Sequence, residues 1–429
     1  MIDWIVGIVV LLVLIAGGIP IAFSMTLVAF VGIVVKIGLA PAMALLGQVF
    51  YDNGMSYTLS VMPLFVLMGN FVLKAGLADD MYAAANAWLR HYRGGLAMAT
   101  VVACGGFSSV CGSSLATAAT MARVSMPSMR RYGYSDTLAT GSIAAGGTLG
   151  ILIPPSIVLV LYGVITQQDI GKLFLAGILP GLVGVLGYLI AVRLSLLIRA
   201  EHQHDIEALP FLERVRATKG VIGVLGLFAC VMGGIYLGIF TATEAAGIGA
   251  FGAFLLAALR RRLTWATLYE ILVETARMTA MLFLVLFGAL LFSNFVNLAG
   301  MPNDLRDWIT ALGAHPTAVI IVILLIYLVL GAVLESISMM LLTVPVFFPV
   351  VVGLGIDPIW FGIFVVVAIE ISLITPPVGL NVFVLKSIVP EVPTGTIFKG
   401  VVPFIAVDIV RVALLIAVPS LALLIPSTM

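Results

Sequence analysis

Two short polar clusters interrupt an otherwise apolar chain, and both carry residues that could hold an ion. The first runs Gly105-Gly106-Phe107-Ser108-Ser109-Val110-Cys111-Gly112-Ser113-Ser114 and is followed by Gly150-Ile151-Leu152-Ile153-Pro154-Pro155-Ser156. The second runs Glu335-Ser336-Ile337-Ser338 and is followed by Ser372-Leu373-Ile374-Thr375-Pro376-Pro377-Val378-Gly379-Leu380-Asn381. Hydroxyls, carbonyls freed near paired prolines and the lone carboxylate Glu335 make a set of oxygen donors. Unwound carbonyls and helix C-terminal ends suit a weakly hydrated monovalent cation, and helix N-termini favour an anionic group. The clusters lack the His and Cys groups of a transition-metal site and the carboxylate pair that Ca²⁺ prefers.

Other chemistries find no support in the chain. The four histidines, at 91, 202, 204 and 315, fall in expected loops or interfacial segments, so no Ser-His-Asp arrangement forms. His202-Gln203-His204 lacks a third ligand and reads as solvated loop. Cys104, Cys111 and Cys230 have neither metal nor redox spacing and read as buried, unpaired thiols. A Walker-type Gly-Lys-Ser/Thr is absent, which speaks against direct ATP coupling. Gly247-Ile248-Gly249-Ala250-Phe251-Gly252 spells a dinucleotide fingerprint by letters alone; with no preceding strand it reads as a helix-packing face. The expectation is therefore a protein that is not an enzyme. A net charge of +1 over 429 residues leaves no basic footprint for nucleic acid.

Composition sets the frame that must position the clusters. With 62% hydrophobic and 10% charged residues and a mean hydropathy of +1.23, the chain is too apolar for water. Its apolar runs are long and lack period-two alternation, so the expected class is an all-α polytopic membrane protein embedded in lipid, not a barrel. The first helix is expected over 3–35, a retained span kinked at Gly17-Gly18-Ile19-Pro20, and the second over 58–74. Residues 79–93 read as an amphipathic segment with Trp88 and Tyr92 at the interface. Residues 97–121 follow Arg90 and Arg93 and precede Arg123, Arg130 and Arg131, so both ends lie on the cytoplasmic side and the segment is a re-entrant hairpin. A helix broken at the prolines covers 137–165, then comes a span over 174–197 and an Arg-bearing polar linker over 199–219. Spans at 220–240, 243–259 (whose Glu244 an interfacial cap explains as well as a function does) and 278–298 lead to a short amphipathic piece at 303–312. A second hairpin over 317–352, a second broken helix over 358–386 and a last span over 398–424 complete the chain.

The clusters recur because the halves repeat. Asn70-Phe71-Val72 and Asn294-Phe295-Val296 lie 224 residues apart, and Ser113 and Ser336 lie 223 apart. The two Pro-Pro pairs lie 222 apart. Repeats of this size are transporter halves, not solenoid units. The expected division is repeat one at 1–200, a linker and unpaired connector helix at 201–240, and repeat two at 241–429. Counting spans from a cytoplasmic linker turns the second hairpin to the opposite face. Repeat two is then inverted, with nine spans and two hairpins, a cytoplasmic N-terminus and a periplasmic C-terminus.

Taken in order, Gly112-Ser113-Ser114-Leu115-Ala116-Thr117, Ile153-Pro154-Pro155-Ser156 and Lys172-Leu173-Phe174-Leu175-Ala176-Gly177-Ile178-Leu179-Pro180 resemble the large membrane subunit of TRAP (tripartite ATP-independent periplasmic) transporters. Thr241 to Ala246 and Leu373-Ile374-Thr375-Pro376-Pro377-Val378-Gly379 extend the likeness over essentially the whole chain. The resemblance implies an elevator-type, Na⁺-driven importer of organic acid anions in a bacterial inner membrane. It also implies two partners, a four-helix small membrane subunit and a periplasmic substrate-binding protein. In that family Na⁺ is held between each hairpin tip and the facing broken helix. Carried over, this implicates Ser108, Ser109, Gly112 and Ser113 with Gly147, Gly150 and Pro154, and Glu335, Ser336 and Ser338 with Thr375, Gly379 and Asn381. Many relatives carry Asp where this chain has Glu335, and often Thr-Pro within Ser336 to Ser338.

An anion entering against a negative membrane potential moves uphill by about 2.3 kcal/mol per charge per 100 mV. The sequence shows neither a nucleotide site nor a chain of intramembrane carboxylates and histidines for proton relay, which leaves Na⁺ as the expected coupling ion. The alternatives are a stand-alone Na⁺–carboxylate symporter needing no binding protein, and an intramembrane enzyme. The enzyme lacks a visible nucleophile with a base, or a metal set, within its spans.

Overall fold

The computed structural model describes residues 2–199, 207–311, 313 and 315–429, and across them the chain is helical without a strand. His202-Gln203-His204 lies outside the described residues. Six of the described helices are long and apolar enough to cross a bilayer by length and composition.

The chain opens with α1 (Ile2–Ala16) and α2 (Ile21–Ile37), where the apolar run suggests one kinked helix. Pro20 cannot donate a backbone hydrogen bond, and Gly18 at φ +85° reverses the chain rather than bending it. The two helices therefore fold back on each other. The Asp3 carboxylate meets the Lys36 ammonium, and the Phe295 ring fills the space a side chain would need at both Gly7 and Gly32. The indole N–H of Trp4 donates to Asp304 at 2.9 Å, so the beginning of the chain sits on the face of residues 304–306. Arg306 on that face approaches Gly353, and the same end carries Asp357, Trp360 and, through the Trp360 indole bond to the Leu415 carbonyl, the last residues of the chain. Both ends of the chain thus lie on one face. Where one kinked helix is expected over 3–35, the chain forms two, α1 and α2.

α3 (Leu39–Gly54) and α4 (Val61–Lys74) follow, then the amphipathic α5 (Leu77–Leu89). The first hairpin is α6 (Gly95–Cys111) and α7 (Ser114–Arg131). The first broken helix is α8 (Asp136–Thr148), a short 3₁₀ turn at Leu149–Ile151 and α9 (Ile157–Thr166), followed by α10 (Ile170–Arg199). The polar linker contains α11 (Phe211–Lys219), which packs on α5; the Trp88 indole donates to Thr218 Oγ at 3.0 Å. Then come α12 (Ile222–Tyr236), α13 (Ala242–Leu259), α14 (Trp265–Leu298) and the amphipathic α15 (Met301–Ala311). The second hairpin is α16 (Pro316–Leu330) and α17 (Ser336–Gly353), and the second broken helix is α18 (Pro358–Ser372) and α19 (Leu380–Ile388). α20 (Thr394–Ala417) and the short α21 (Ser420–Leu423) close the chain.

Helix starts follow capping chemistry. Ser135, Ser156 and Asp357 accept from backbone N–H groups in the first turn, as side-chain caps do. Thr241 and Glu244 form a reciprocal capping box, the cap reading of Glu244. Within α13, a side chain at Gly249 would collide with Met68 and one at Gly252 with Leu227, so this stretch is a packing face. Cys104 and Cys111 are buried and free, but Cys230 is exposed on α12, against the expectation of three buried thiols.

Packing groups the helices into a frame and a core, which meet where α14 packs on α17 and α4 on α6. α2 lies along α14 and α4 along α13, with α1, α3 and α12 completing the frame. The core holds both hairpins, both broken helices, α10 and α20; α20 packs on α8 and α10 on α18. The second arm of each hairpin takes the other half's broken helix: α7 packs on α19 and α17 on α9.

Candidate ion sites at the two helix breaks

A proline at position i deprives the carbonyl of residue i−4 of its helical donor. Pro154 and Pro155 do this to Gly150 and Ile151, and Pro376 and Pro377 to Ser372 and Leu373. One carbonyl of each pair is recovered locally: Ser156 Oγ donates to Ile151 O at 2.5 Å, and the Asn381 backbone N–H donates to Leu373 O at 3.1 Å. The carbonyls of Gly150 and Ser372, 222 residues apart, accept no such local bond among the described residues.

Each of these residues faces its own hairpin. A Cβ at Gly150 would lie 2.8 Å from Ser113 O and 3.1 Å from Thr117 Oγ1, so the tip of the first hairpin rests directly on the first break. A Cβ at Gly331, beside the second tip, would lie 2.2 Å from Ser372 Cβ and Oγ. At the first tip, Gly112 turns at φ +65° and faces Pro155 O, and Ser113 caps α7. The Ser114 hydroxyl is buried with no hydrogen-bond partner among the described residues. Gly147 packs on Ala118 of α7, and Pro154 lies by Gly177 of α10. Ser108 and Ser109 are buried on the last turns of α6; their hydroxyls donate to Cys104 O at 2.5 Å and Gly106 O at 2.6 Å.

At the second tip Glu335 takes the N-cap position of α17 and accepts from Ser338 Oγ at 3.2 Å, and Ser336 is buried beside it. Thr375 donates to Ile371 O at 2.6 Å, capping the end of α18. Gly379 starts α19 at φ +60° with the Ile374 carbonyl carbon 3.3 Å from where its Cβ would be, so it needs both the left-handed backbone and the missing side chain. Asn381 behaves differently from its expected grouping with the second hairpin. Its Nδ2 donates to Ala144 O of α8 at 3.0 Å, and its Oδ1 is buried without a hydrogen-bond partner among the described residues. It joins the two halves.

Sequence reasoning missed Ser372 and Ser114, although the 222-residue offset applied to Gly150 points to Ser372. It also missed a buried ionic cluster. Arg411 Nη2 of α20 lies 2.5 Å from Glu370 Oε2 of α18 and 2.9 Å from Asp408 Oδ1. Asp408 Oδ2 accepts from the Tyr188 hydroxyl of α10 at 2.8 Å, and all three charged side chains are at most 1% exposed. Two carboxylates, Glu370 and Asp408, therefore share one cation in the interior of the molecule, with no histidine among them. Outside the spanning helices, Glu391 between α19 and α20 is held below its ordinary value by a backbone hydrogen bond and by Arg130, whose Nη1 lies 2.5 Å away.

The model of the family described as "Tripartite ATP-independent periplasmic transporter, DctM component" matches residues 8–421. The C4-dicarboxylate TRAP transporter large permease protein DctM of Pseudomonas aeruginosa is 36% identical over 88% of this chain and 88% of its own length. The sialic acid TRAP transporter large permease protein SiaM of Vibrio cholerae is 32% identical over 96% of each chain. The ectoine TRAP transporter large permease protein TeaC of Halomonas elongata is 30% identical over 95% of each. Among solved structures, the YdaH transporter of Alcanivorax borkumensis superposes with a TM-score of 0.61 over 88% of this chain and 90% of that one; at 15% identity the likeness is one of fold.

Proposed function

This chain belongs to the DctM-component family of tripartite ATP-independent periplasmic transporters, and on that premise we propose that it imports an organic acid anion with Na⁺ across a bacterial inner membrane. The relatives carry C4-dicarboxylates, sialic acid or ectoine by name, and each of those solutes bears a carboxylate. The Na⁺ reading rests above all on Gly150 and Ser372, whose carbonyls each lose a helical donor to a proline and which each pack against their own hairpin. Hard oxygen donors on broken backbone are the usual surroundings of a coupling cation in such folds. The buried, unpaired oxygens of Ser114 and Asn381 add polar groups that want a ligand.

Two Na⁺ entering with a monoanion carry net positive charge, so the membrane potential assists uptake instead of opposing it. The separation of frame and core supports an elevator, in which the core with its hairpins and breaks slides against the frame. The like order of helices in the two halves, and the exchange of α9 and α19 between them, support an inverted repeat. The remaining parts are a small membrane subunit and a periplasmic binding protein that delivers the solute.

Proteoliposomes holding this chain and its small subunit test the reading. Uptake of an organic acid is expected only with an inward Na⁺ gradient and added binding protein. Accumulation that survives replacement of Na⁺ by K⁺ removes the coupling ion from the account, and full uptake without a binding protein favours the stand-alone symporter.

A further inference from the structure

The buried ionic cluster extends further than its charges, and its ends are informative. Tyr188 has one hydroxyl proton, which it gives to Asp408 Oδ2 at 2.8 Å. Its oxygen also lies 3.2 Å from Thr148 Oγ1, a contact that can only share the one hydroxyl proton Thr148 gives to Ala145 O at 2.7 Å. Thr148 is the last residue of α8, two before Gly150. At the other end Arg411 binds Asp408 and Glu370, and Glu370 lies two residues before Ser372, the last residue of α18. An unbroken chain of polar contacts, Thr148–Tyr188–Asp408–Arg411–Glu370, therefore runs from one helix break to the other through α10 and α20.

We propose that these five side chains form a strut that couples the two breaks, so that filling one candidate cation site tightens the other; this rests on the Na⁺ reading above. Every member is fully or almost fully buried. Charged groups at membrane depth are costly and are kept for function more than for packing. The strut is also held stiffly. The Arg411 guanidinium lies over the Tyr188 ring, 6.0 Å from its centroid. It occupies the place where a side chain at Gly184 would stand, with Nη1 2.3 Å from that Cβ position. The Tyr188 ring in turn packs edge-on against Phe404 at 5.4 Å. An ion drawing on the Gly150 carbonyl orders the end of α8, and with it Thr148. The strut passes that ordering to Glu370 and the end of α18. Tyr188 is thus a positioning residue, remote from the ions themselves.

The test is the Na⁺ dependence of uptake by the complete reconstituted transporter, comparing wild type with Tyr188→Phe and Thr148→Val. Each variant removes one hydroxyl and keeps the shape. Wild type is expected to show a Hill slope near about two. Either variant should fall toward about one, with half-saturating Na⁺ raised about fivefold or more and uptake at saturating Na⁺ retained. Tyr236→Phe, whose hydroxyl faces Thr428 at the surface, serves as the control and should change nothing. An unchanged slope and half-saturation in Tyr188→Phe overturns the strut while leaving Na⁺ coupling intact. If Tyr188→Phe does not insert, the same outcomes read from Thr148→Val decide. A wild type indifferent to Na⁺ instead brings down the coupling reading, and the strut with it.

Discussion

What a proline leaves behind is a carbonyl, and the value of that carbonyl depends on what faces it. At Gly150 the backbone of Ser113 lies against the α-carbon, too close to admit a side chain. Gly150→Ala must push the hairpin tip off the break, at about 1–3 kcal/mol for forced overpacking. The Na⁺ needed for half-maximal uptake is expected to rise about tenfold, since 1.4 kcal/mol is a factor of ten. Gly47→Ala, in a helix with nothing within 4 Å of the new methyl, should leave it unchanged. Equal behaviour of the two variants removes the tip from the site. The ionic cluster gives a second ordering. Arg411→Met leaves two buried carboxylates without their cation and should cost about 3–5 kcal/mol, whereas Glu370→Gln leaves Arg411 paired with Asp408 and should cost less. Thermal unfolding of the purified protein in detergent ranks them; a more damaging Glu370→Gln contradicts the charge balance. Gly150 was readable in the sequence because it stands beside Pro154-Pro155. The Asp408–Arg411 pair, three residues apart on α20, could have been read from its spacing, but only the fold brings Glu370 of α18 to it.

Elements were readable where spacing repeats and obscure where it does not. The chain turns at both polar knots and its helices part at both proline pairs, although α7 runs on to Arg131, past the expected end at 121. The α1–α2 turn was misread because Gly-Gly-Ile-Pro marks a kink and a reversal alike. A run from 3 to 35 is nevertheless long for one crossing, as about 20 residues suffice. The reversal makes a labelling experiment decisive. In a background without Cys104, Cys111 and Cys230, single cysteines replacing Ala40 and His315 should react with an impermeant maleimide from one face, and one replacing Arg93 from the other. All three positions follow the Asp3–Lys36 and Trp4–Asp304 contacts at one end of the bundle and the Asp80–Arg260 contact at the other. Labelling of positions 40 and 93 from the same side means that α1 and α2 do not form two crossings. Asn381 marks the limit of one-dimensional reading: its partner, Ala144, belongs to the other half and carries no sequence mark.

At the scale of the whole molecule the question is whether the core moves against the frame or works within it. Two aromatic contacts of nearly equal geometry separate these cases. Phe65 of α4 meets Phe174 of α10 edge-on at 5.6 Å, joining frame to core, and Phe71 of α4 meets Phe254 of α13 at 5.5 Å within the frame. Sliding of packed layers is a shear motion and cannot proceed through a covalent tie across the interface. Paired cysteines at 65 and 174, bridged by a short thiol-reactive linker that a reductant can cleave, should stop uptake and recover it on cleavage. The same bridge between 71 and 254 should leave uptake near the untreated level, because both ends ride on one body. Transport that continues through a complete 65–174 bridge excludes an elevator. The hairpins and breaks would then have to open and close within a fixed core, with ion binding at Gly150 and Ser372 gating access locally.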